Sequence, residues 1–229
     1  ERSDRSPETL RRLGEVVGHL HALPPVPEQD PLLQRRAGAL PASDLPFGLQ
    51  CLARIADRVP NEWRAEYTIL RACLLATCDC EDLPDSARGL IHNDCHLANA
   101  LRTPPGEVVF FDWDSAGQGP RVAALGLLLY SCAVQAPDDP PIPPDLTRVD
   151  HVLDGYCRHH ALSDAELRLL PDAVRYRPAV VAARELAATV DHRRAGDLAR
   201  WHSGWWARFA ETDAVATRAL TTLERYRAA

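Results

Sequence analysis

Apolar residues recur at helical spacing from the first segment of the chain onward. Leu10, Leu13, Val17 and Leu20 mark one face of a helix. Ser6-Pro7-Glu8 opens it with a hydroxyl N-cap, a proline in the first helical position and an acid at the positive end of the dipole. Pro24-Pro25 stops it. Residues 24–47 hold six prolines and little periodicity, so they read mostly as loop. A second helix is expected over 48–58. Asn61 is expected to cap a third, whose apolar stripe is Trp63, Tyr67, Leu70 and Leu74.

The pattern then changes period. Residues 100–102 and 108–111 are short β-prone runs joined by a Pro-Pro-Gly turn, which predicts a hairpin. Residues 122–134, VAALGLLLYSCAV, are apolar on every side and predict a helix buried in the core. A proline-rich loop follows from Ala136 to Pro144. Ser163 and Glu166 form a capping box for a helix near 164–170. Further helix is expected over 172–227, interrupted around Pro178 and Gly196. The outline is mainly α with one small β-hairpin. It divides into a helical part (1–90), a polar and hairpin part (91–120) and a second helical part (121–229).

Composition narrows the picture. The chain has 229 residues, 46% hydrophobic and 25% charged, as expected of a globular protein. No run approaches 18 uninterrupted apolar residues, so no membrane span is expected. A net charge of −6 argues against nucleic acid as the main partner. The opening ERSDRSPETL carries no apolar signal core, and seven irregularly spaced cysteines suit a reducing compartment. A cytoplasmic location is the expectation. All 26 basic residues are arginine, and the sequence contains neither lysine nor methionine.

The candidate chemistry lies in the 91–120 part. IHNDCHLAN, residues 91–99, gathers His92, Asp94, Cys95, His96 and Asn99 within nine positions. VVFFDWDSAGQGP then runs a short apolar strand into Asp112, Trp113 and Asp114. A hairpin between the two stretches would bring Asp94, Asn99 and Asp112 together. Asn99 and Asp112 offer hard oxygen donors of the kind Mg²⁺ accepts alongside substrate phosphates. Asp94 would stay off the metal and take a proton from an attacking hydroxyl. That division of labour is a phosphoryl-transfer pattern. A rival reading takes His92, Asp94 and His96 as transition-metal ligands of a hydrolase.

These residues resemble the aminoglycoside phosphotransferase and choline kinase family, whose hallmark is H-G-D-x-x-x-x-N followed by a D-W or D-x-E segment. His92-Asn93-Asp94-Cys95-His96-Leu97-Ala98-Asn99 fits it, with Asn93 in the usual glycine place. GHLHALP, residues 18–24, resembles the helix that opens the C-terminal lobe of that protein-kinase-like fold. The resemblance implies that Asp94 is the catalytic base and that Asn99 and Asp112 hold magnesium. It implies that Leu101 and Phe111 form the floor under the adenine of ATP, that His92 braces the loop, and that His96 and Asp114 support the site. After Gly119-Pro120, many members carry an acid where this chain reads RVAALG, with Ala123 or Ala124 in that place.

The expectation is therefore the C-terminal lobe of an ATP- and Mg-dependent phosphotransferase acting on a hydroxyl of a small molecule. The family's N-terminal lobe, with its phosphate-covering loop and lysine, is expected to lie outside this sequence or to come from a partner. The alternative is a kinase-like binding module without nucleotide chemistry. Trp201, Trp205 and Trp206 read first as core and secondly as part of an acceptor pocket. Cys73, Cys78 and Cys80 lack zinc spacing and read as buried thiols, whereas Cys95 reads as a thiol open to reagents. Asp191 to Arg194 read as a solvated helix end, and Glu81, Asp82 and Asp85 as a solvated acidic loop.

Overall fold

A computed structural model describes residues 4–24, 45–76, 87–104, 106–134, 143–192 and 196–228. The first helix, α1 (Pro7–Ala22), forms as its sequence dictates. The Ser6 hydroxyl accepts from the Thr9 amide at 3.3 Å, and Leu10, Leu13 and Val17 are fully buried. The second, α2 (Leu45–Ile55), begins three residues earlier than the expected 48 and ends at 55 rather than 58. Pro46 is tolerated because the first turn of a helix needs no amide donor there. Asn61 does not cap the third helix. It starts a 3₁₀ turn, Asn61–Trp63, that leads into α3 (Arg64–Ala76). Of the expected stripe, Tyr67, Leu70 and Leu74 are buried and Trp63 is half-buried.

Among the described residues, four short strands follow. The expected hairpin exists: β2 (Ala100–Arg102) pairs antiparallel with β3 (Val108–Phe110), Leu101 opposite Val109. A second antiparallel pair joins β1 (Arg88–Ile91) to β4 (Gly117–Pro120) and brackets the whole 91–120 part. It was not expected, because GQGP carries no β-branched or aromatic residue to signal a strand.

The remaining helices are α4 (Arg121–Ala133), α5 (Thr147–Tyr156), α6 (Asp164–His192), α7 (Asp197–Trp201), α8 (Ala207–Ala210) and α9 (Thr212–Ala228). A π-helical stretch, His202–Trp206, lies between α7 and α8. As expected, α4 is buried on nearly every side. The capping box is also present: Glu166 Oε2 accepts from the Ser163 amide and hydroxyl at 2.9 and 2.7 Å. Gly196, at φ 83°, does separate two helices, but Pro178 interrupts nothing. Helix α6 runs through both Pro171 and Pro178 for 29 residues, about 43 Å at 1.5 Å per residue. Its buried residues on both sides of each proline hold it in line, which offsets the backbone hydrogen bonds that proline removes.

Helix α6 belongs to two cores. Its first half packs with α1, α4, α5, α9 and the strands, while its second half packs with α2, α3, α7 and α8. In the first core, α1 and α5 touch backbone to backbone. A Cβ on Gly155 would stand 1.9 Å from the Arg11 carbonyl oxygen. The ion pairs Arg11–Asp154 (2.6 Å) and Arg158–Glu15 (3.0 Å) flank this contact. In the second core, Asp191 is not simply solvated, since Arg54 and Arg58 of the α2 region both pair with it. Cys51, Cys95 and Cys132 are buried free thiols. Cys78, Cys80, Glu81, Asp82, Asp85, Arg193 and Arg194 lie outside the described residues, as does most of the proline-rich 24–47 stretch. Among the described residues, no helix is long and apolar enough to cross a membrane.

Two outcomes are expected from this packing. Gly155→Ala would force α1 and α5 apart and cost about 3 kcal/mol, read as a shift in the urea unfolding midpoint. An unchanged midpoint would contradict the close contact. The second concerns His21, which is buried with Nδ1 2.9 Å from the Tyr156 hydroxyl. Burial, reinforced by nearby His160 and Arg121, holds it neutral well below the ordinary histidine value of 6.5. The unfolded chain takes up that proton near pH 6.5 and the folded chain does not. Stability is therefore full above about pH 6.5 and falls as the pH drops below it, by up to about 1.4 kcal/mol per pH unit for this group. His21→Leu should flatten that part of the dependence, measured by urea unfolding between pH 7.5 and 5.5.

Candidate active site

The site is built where β1 ends. His92 follows Ile91, is fully buried and lies between the rings of Phe110 and Trp113, with centroids 5.3 and 4.5 Å away. Its Nε2 is 2.8 Å from the Phe111 carbonyl oxygen, and its Nδ1 is 3.3 Å from the Asp94 amide. A neutral imidazole satisfies both contacts, with Nε2–H donating and Nδ1 accepting. Burial accordingly lowers the His92 pKa, although the Phe111 bond and the charges of Asp94 and Asp112 work against it. With both nitrogens engaged, His92 is a brace and a poor metal ligand. The hydrolase reading loses its first ligand for that reason. Among the described residues, no group of three His, Cys, Asp or Glu side chains is arranged to hold a metal ion.

Asn93 turns the chain. Its φ of 59° is left-handed, which L-residues avoid and asparagine tolerates better than most. The turn presents Asp94, whose carboxylate is about one-third exposed. Oδ2 accepts from Asn99 Nδ2 at 2.8 Å and lies 3.4 Å from His96 Nε2, while Oδ1 lies 3.5 Å from Arg177 Nη2. Partial burial pushes the Asp94 pKa up, but His96, Arg177 and Asn99 together outweigh it and hold the carboxyl below its ordinary value. Asp94 is thus an ionised, oriented carboxylate open to an incoming group.

The rest of the loop closes on itself. The His96 amide donates to the Asp94 carbonyl (2.8 Å), the Asn99 amide to the His96 carbonyl (2.9 Å) and Asn99 Nδ2 to the Asp94 carbonyl (3.2 Å). Leu97 and Cys95 anchor it in the first core. Cys95 is fully buried and its thiol is pushed up by desolvation, so it is not the open thiol its position suggested.

The second half of the motif is tied to the first through one residue. The Phe111 amide donates to the Asn99 carbonyl at 3.0 Å while its carbonyl accepts from His92. Asp112, the next residue, is left-handed at φ 62°, ψ 61°, and exposed. Two non-glycine residues in this conformation within one site mark strain of the kind functional sites retain. Asn99 bonds to Asp94 through its amide nitrogen, so its amide oxygen and the Asp112 carboxylate remain as hard donors that fit Mg²⁺. Asp114 is exposed beside Trp113, whose indole donates to the Phe110 carbonyl at 2.9 Å. Leu101 and Phe111 are exposed on one face of the hairpin (57% and 41%), with Val109 between them. Trp201 is core, its indole donating to the Ala182 carbonyl at 2.9 Å, whereas Trp205 and Trp206 are half-buried.

A model of the phosphotransferase enzyme family (APH) matches residues 1–162. The chain belongs to that family. An uncharacterised protein of Deinococcus radiodurans is 36% identical over 115 residues, which is 50% of this chain and 31% of that protein. Among solved structures, an amicoumacin kinase in complex with AMP-PNP, Ca²⁺ and Ami superposes with a TM-score of 0.60 at 21% identity, over 94% of this chain and 60% of that one. An ethanolamine kinase of Plasmodium vivax gives 0.62 at 13% identity, over 95% and 63%. A choline/ethanolamine kinase family protein of Mesorhizobium loti gives 0.58 at 15%, over 95% and 67%. These likenesses establish a kinase-like fold. The chain spans about a third of its bacterial relative and about three-fifths of the first two solved structures.

Two site residues carried no local signal. Ser115 donates to the His92 carbonyl (3.2 Å) and Arg177 to the Asn93 carbonyl (3.0 Å). Ser115 braces the loop from beside the hairpin and Arg177 braces it from α6. Only their distance in sequence, 23 and 84 residues, hid them. Because Asn93 carries the left-handed strain, Asn93→Gly should keep the loop and raise stability by up to about 1 kcal/mol, read by thermal unfolding. A loss of several kcal/mol would mean the asparagine side chain does more than tolerate the turn.

Proposed function

We propose that this chain is the C-terminal, catalytic lobe of an ATP- and Mg-dependent phosphotransferase that phosphorylates a hydroxyl of a small molecule. The observation that supports it most is the Asp94 carboxylate itself: ionised, one-third exposed and held by Asn99 at 2.8 Å. That is the geometry of a base waiting for a proton. Asn99 and Asp112 would hold the metal, and their strand-linked backbone keeps them at one end of the hairpin. Magnesium, when bound, neutralises charge on the phosphate oxygens.

The protein's own part is positioning and electrostatics. Oδ2 of Asp94 is committed to Asn99 and His96, which leaves Oδ1 to accept the acceptor's hydroxyl proton. The exposed face of Leu101, Val109 and Phe111 would take the adenine, since an apolar patch on one face of the hairpin has little reason to face water. His92 keeps the loop in register and carries no proton in the reaction.

For the acceptor we propose an amino alcohol or a larger amine bearing a hydroxyl. The ethanolamine and choline/ethanolamine kinases point that way. The second reading, a kinase-like binding module without nucleotide chemistry, would transfer no phosphate.

The test is phosphoryl transfer from Mg-ATP to a panel of amino alcohols by the whole protein. Asp94→Ala should bind Mg-ATP as before and lose turnover by about 10²–10⁴-fold. Asn99→Ala and Asp112→Ala should raise the Mg²⁺ concentration needed for half-maximal rate. Full turnover in the Asp94 variant would remove it as the base. Nucleotide binding with no transfer to any acceptor would favour the binding module.

A further inference from the structure

The catalytic loop is bonded mainly to itself and to the adjoining hairpin, but one side chain reaches it from the helical half of the chain. Arg177, on α6, is 12% exposed; its Nη2 donates to the Asn93 carbonyl at 3.0 Å and stands 3.5 Å from Asp94 Oδ1. Both contacts fall where they matter. Asn93 is the left-handed residue that aims Asp94, and Oδ1 is the carboxylate oxygen not committed to Asn99 and His96. The other carbonyls of the turn are held from nearby, that of His92 by Ser115 and that of Asp94 by His96 and Asn99. Without Arg177, the peptide between Asn93 and Asp94 would keep its strain and lose its restraint.

The helix that carries Arg177 is a firm base for such a restraint. Four residues before it, a Cβ on Gly126 of α4 would stand 2.5 Å from the Ala173 carbonyl carbon, so the two backbones are in contact. Five residues after it, the Ala182 carbonyl accepts from the Trp201 indole. Arg177 therefore lies between two fixed points on a helix shared by both cores. A side chain so placed sets a direction better than one on a loop.

We propose that Arg177 is a positioning residue for the transfer step, holding the Asn93–Asp94 turn so that Oδ1 faces the acceptor hydroxyl. This rests on the phosphotransferase reading above. A guanidinium suits the task because its planar fork can bond a carbonyl and flank a carboxylate together, which an ammonium does less well.

The experiment compares wild type with Arg177→Met, Arg177→Lys and Arg177→Ala in the whole protein. Expected is a fall in kcat of about 10²-fold for Arg177→Met, the order that a misplaced group costs. KM for Mg-ATP should stay within about twofold, Arg177→Lys should recover only part of the rate, and free guanidinium should restore turnover to Arg177→Ala. Wild-type kcat in Arg177→Met, or a matching loss of nucleotide affinity and melting temperature, would overturn the proposal. Hydrogen exchange at the Asp94, His96 and Asn99 amides gives a readout that needs no turnover. Faster exchange there at unchanged melting temperature supports the restraint even if wild type transfers phosphate to no acceptor, in which case the phosphotransferase reading alone fails. Unchanged exchange overturns the restraint.

Discussion

The candidate site depends on two hydrogen bonds to the backbone of one residue. Phe111 donates its amide to Asn99 and accepts His92 Nε2 on its carbonyl. These bonds join the end of β3 to the loop after β1, and Asp112 emerges at that joint. Neither half of the motif gathers these groups alone, since one carries Asp94 and Asn99 and the other Asp112. The neutral state of His92 follows from the same constraint, because only an unprotonated Nδ1 can accept from the Asp94 amide.

Local choices elsewhere agree with that joint. The β1–β4 pair closes the two ends of the 91–120 part, and α4 begins directly after β4. The loop is anchored inward by Cys95 and Leu97, and its polar groups are spent on each other or on Asp94. What is left outward is the carboxylates of Asp94, Asp112 and Asp114 and an apolar face. That is a short inventory, and phosphoryl transfer asks for little more from a protein than placing charge and excluding alternatives.

Helix α6 plays the corresponding part in the helical half. It joins two cores, passes through two prolines, and sends Arg177 to the loop between them. Proline in a helix interior normally costs about 3 kcal/mol or more. Burial of Val174, Ala179 and Val180 around Pro178 supplies a compensating restraint that a surface helix would lack. The same residues explain why this helix cannot be read as two.

Much of the fold is legible in the amino-acid order alone. The stripe of α1, the all-round apolar α4, the Ser163–Glu166 box and the β2–β3 hairpin follow from spacing and turn chemistry, which act over a few residues. The motif from His92 to Asn99, with Asp112 thirteen residues on, marked the candidate site by the same local logic. Tertiary structure decided the rest. It paired the glycine-rich β4 with β1, carried α6 through Pro178, buried Cys95 between its polar neighbours, and brought Arg177 and Ser115 onto the turn. Each of these depends on packing between segments far apart in sequence, and no local propensity records what a distant segment will cover. Periodicity reports which face a segment turns inward; only the folded chain determines what meets it there.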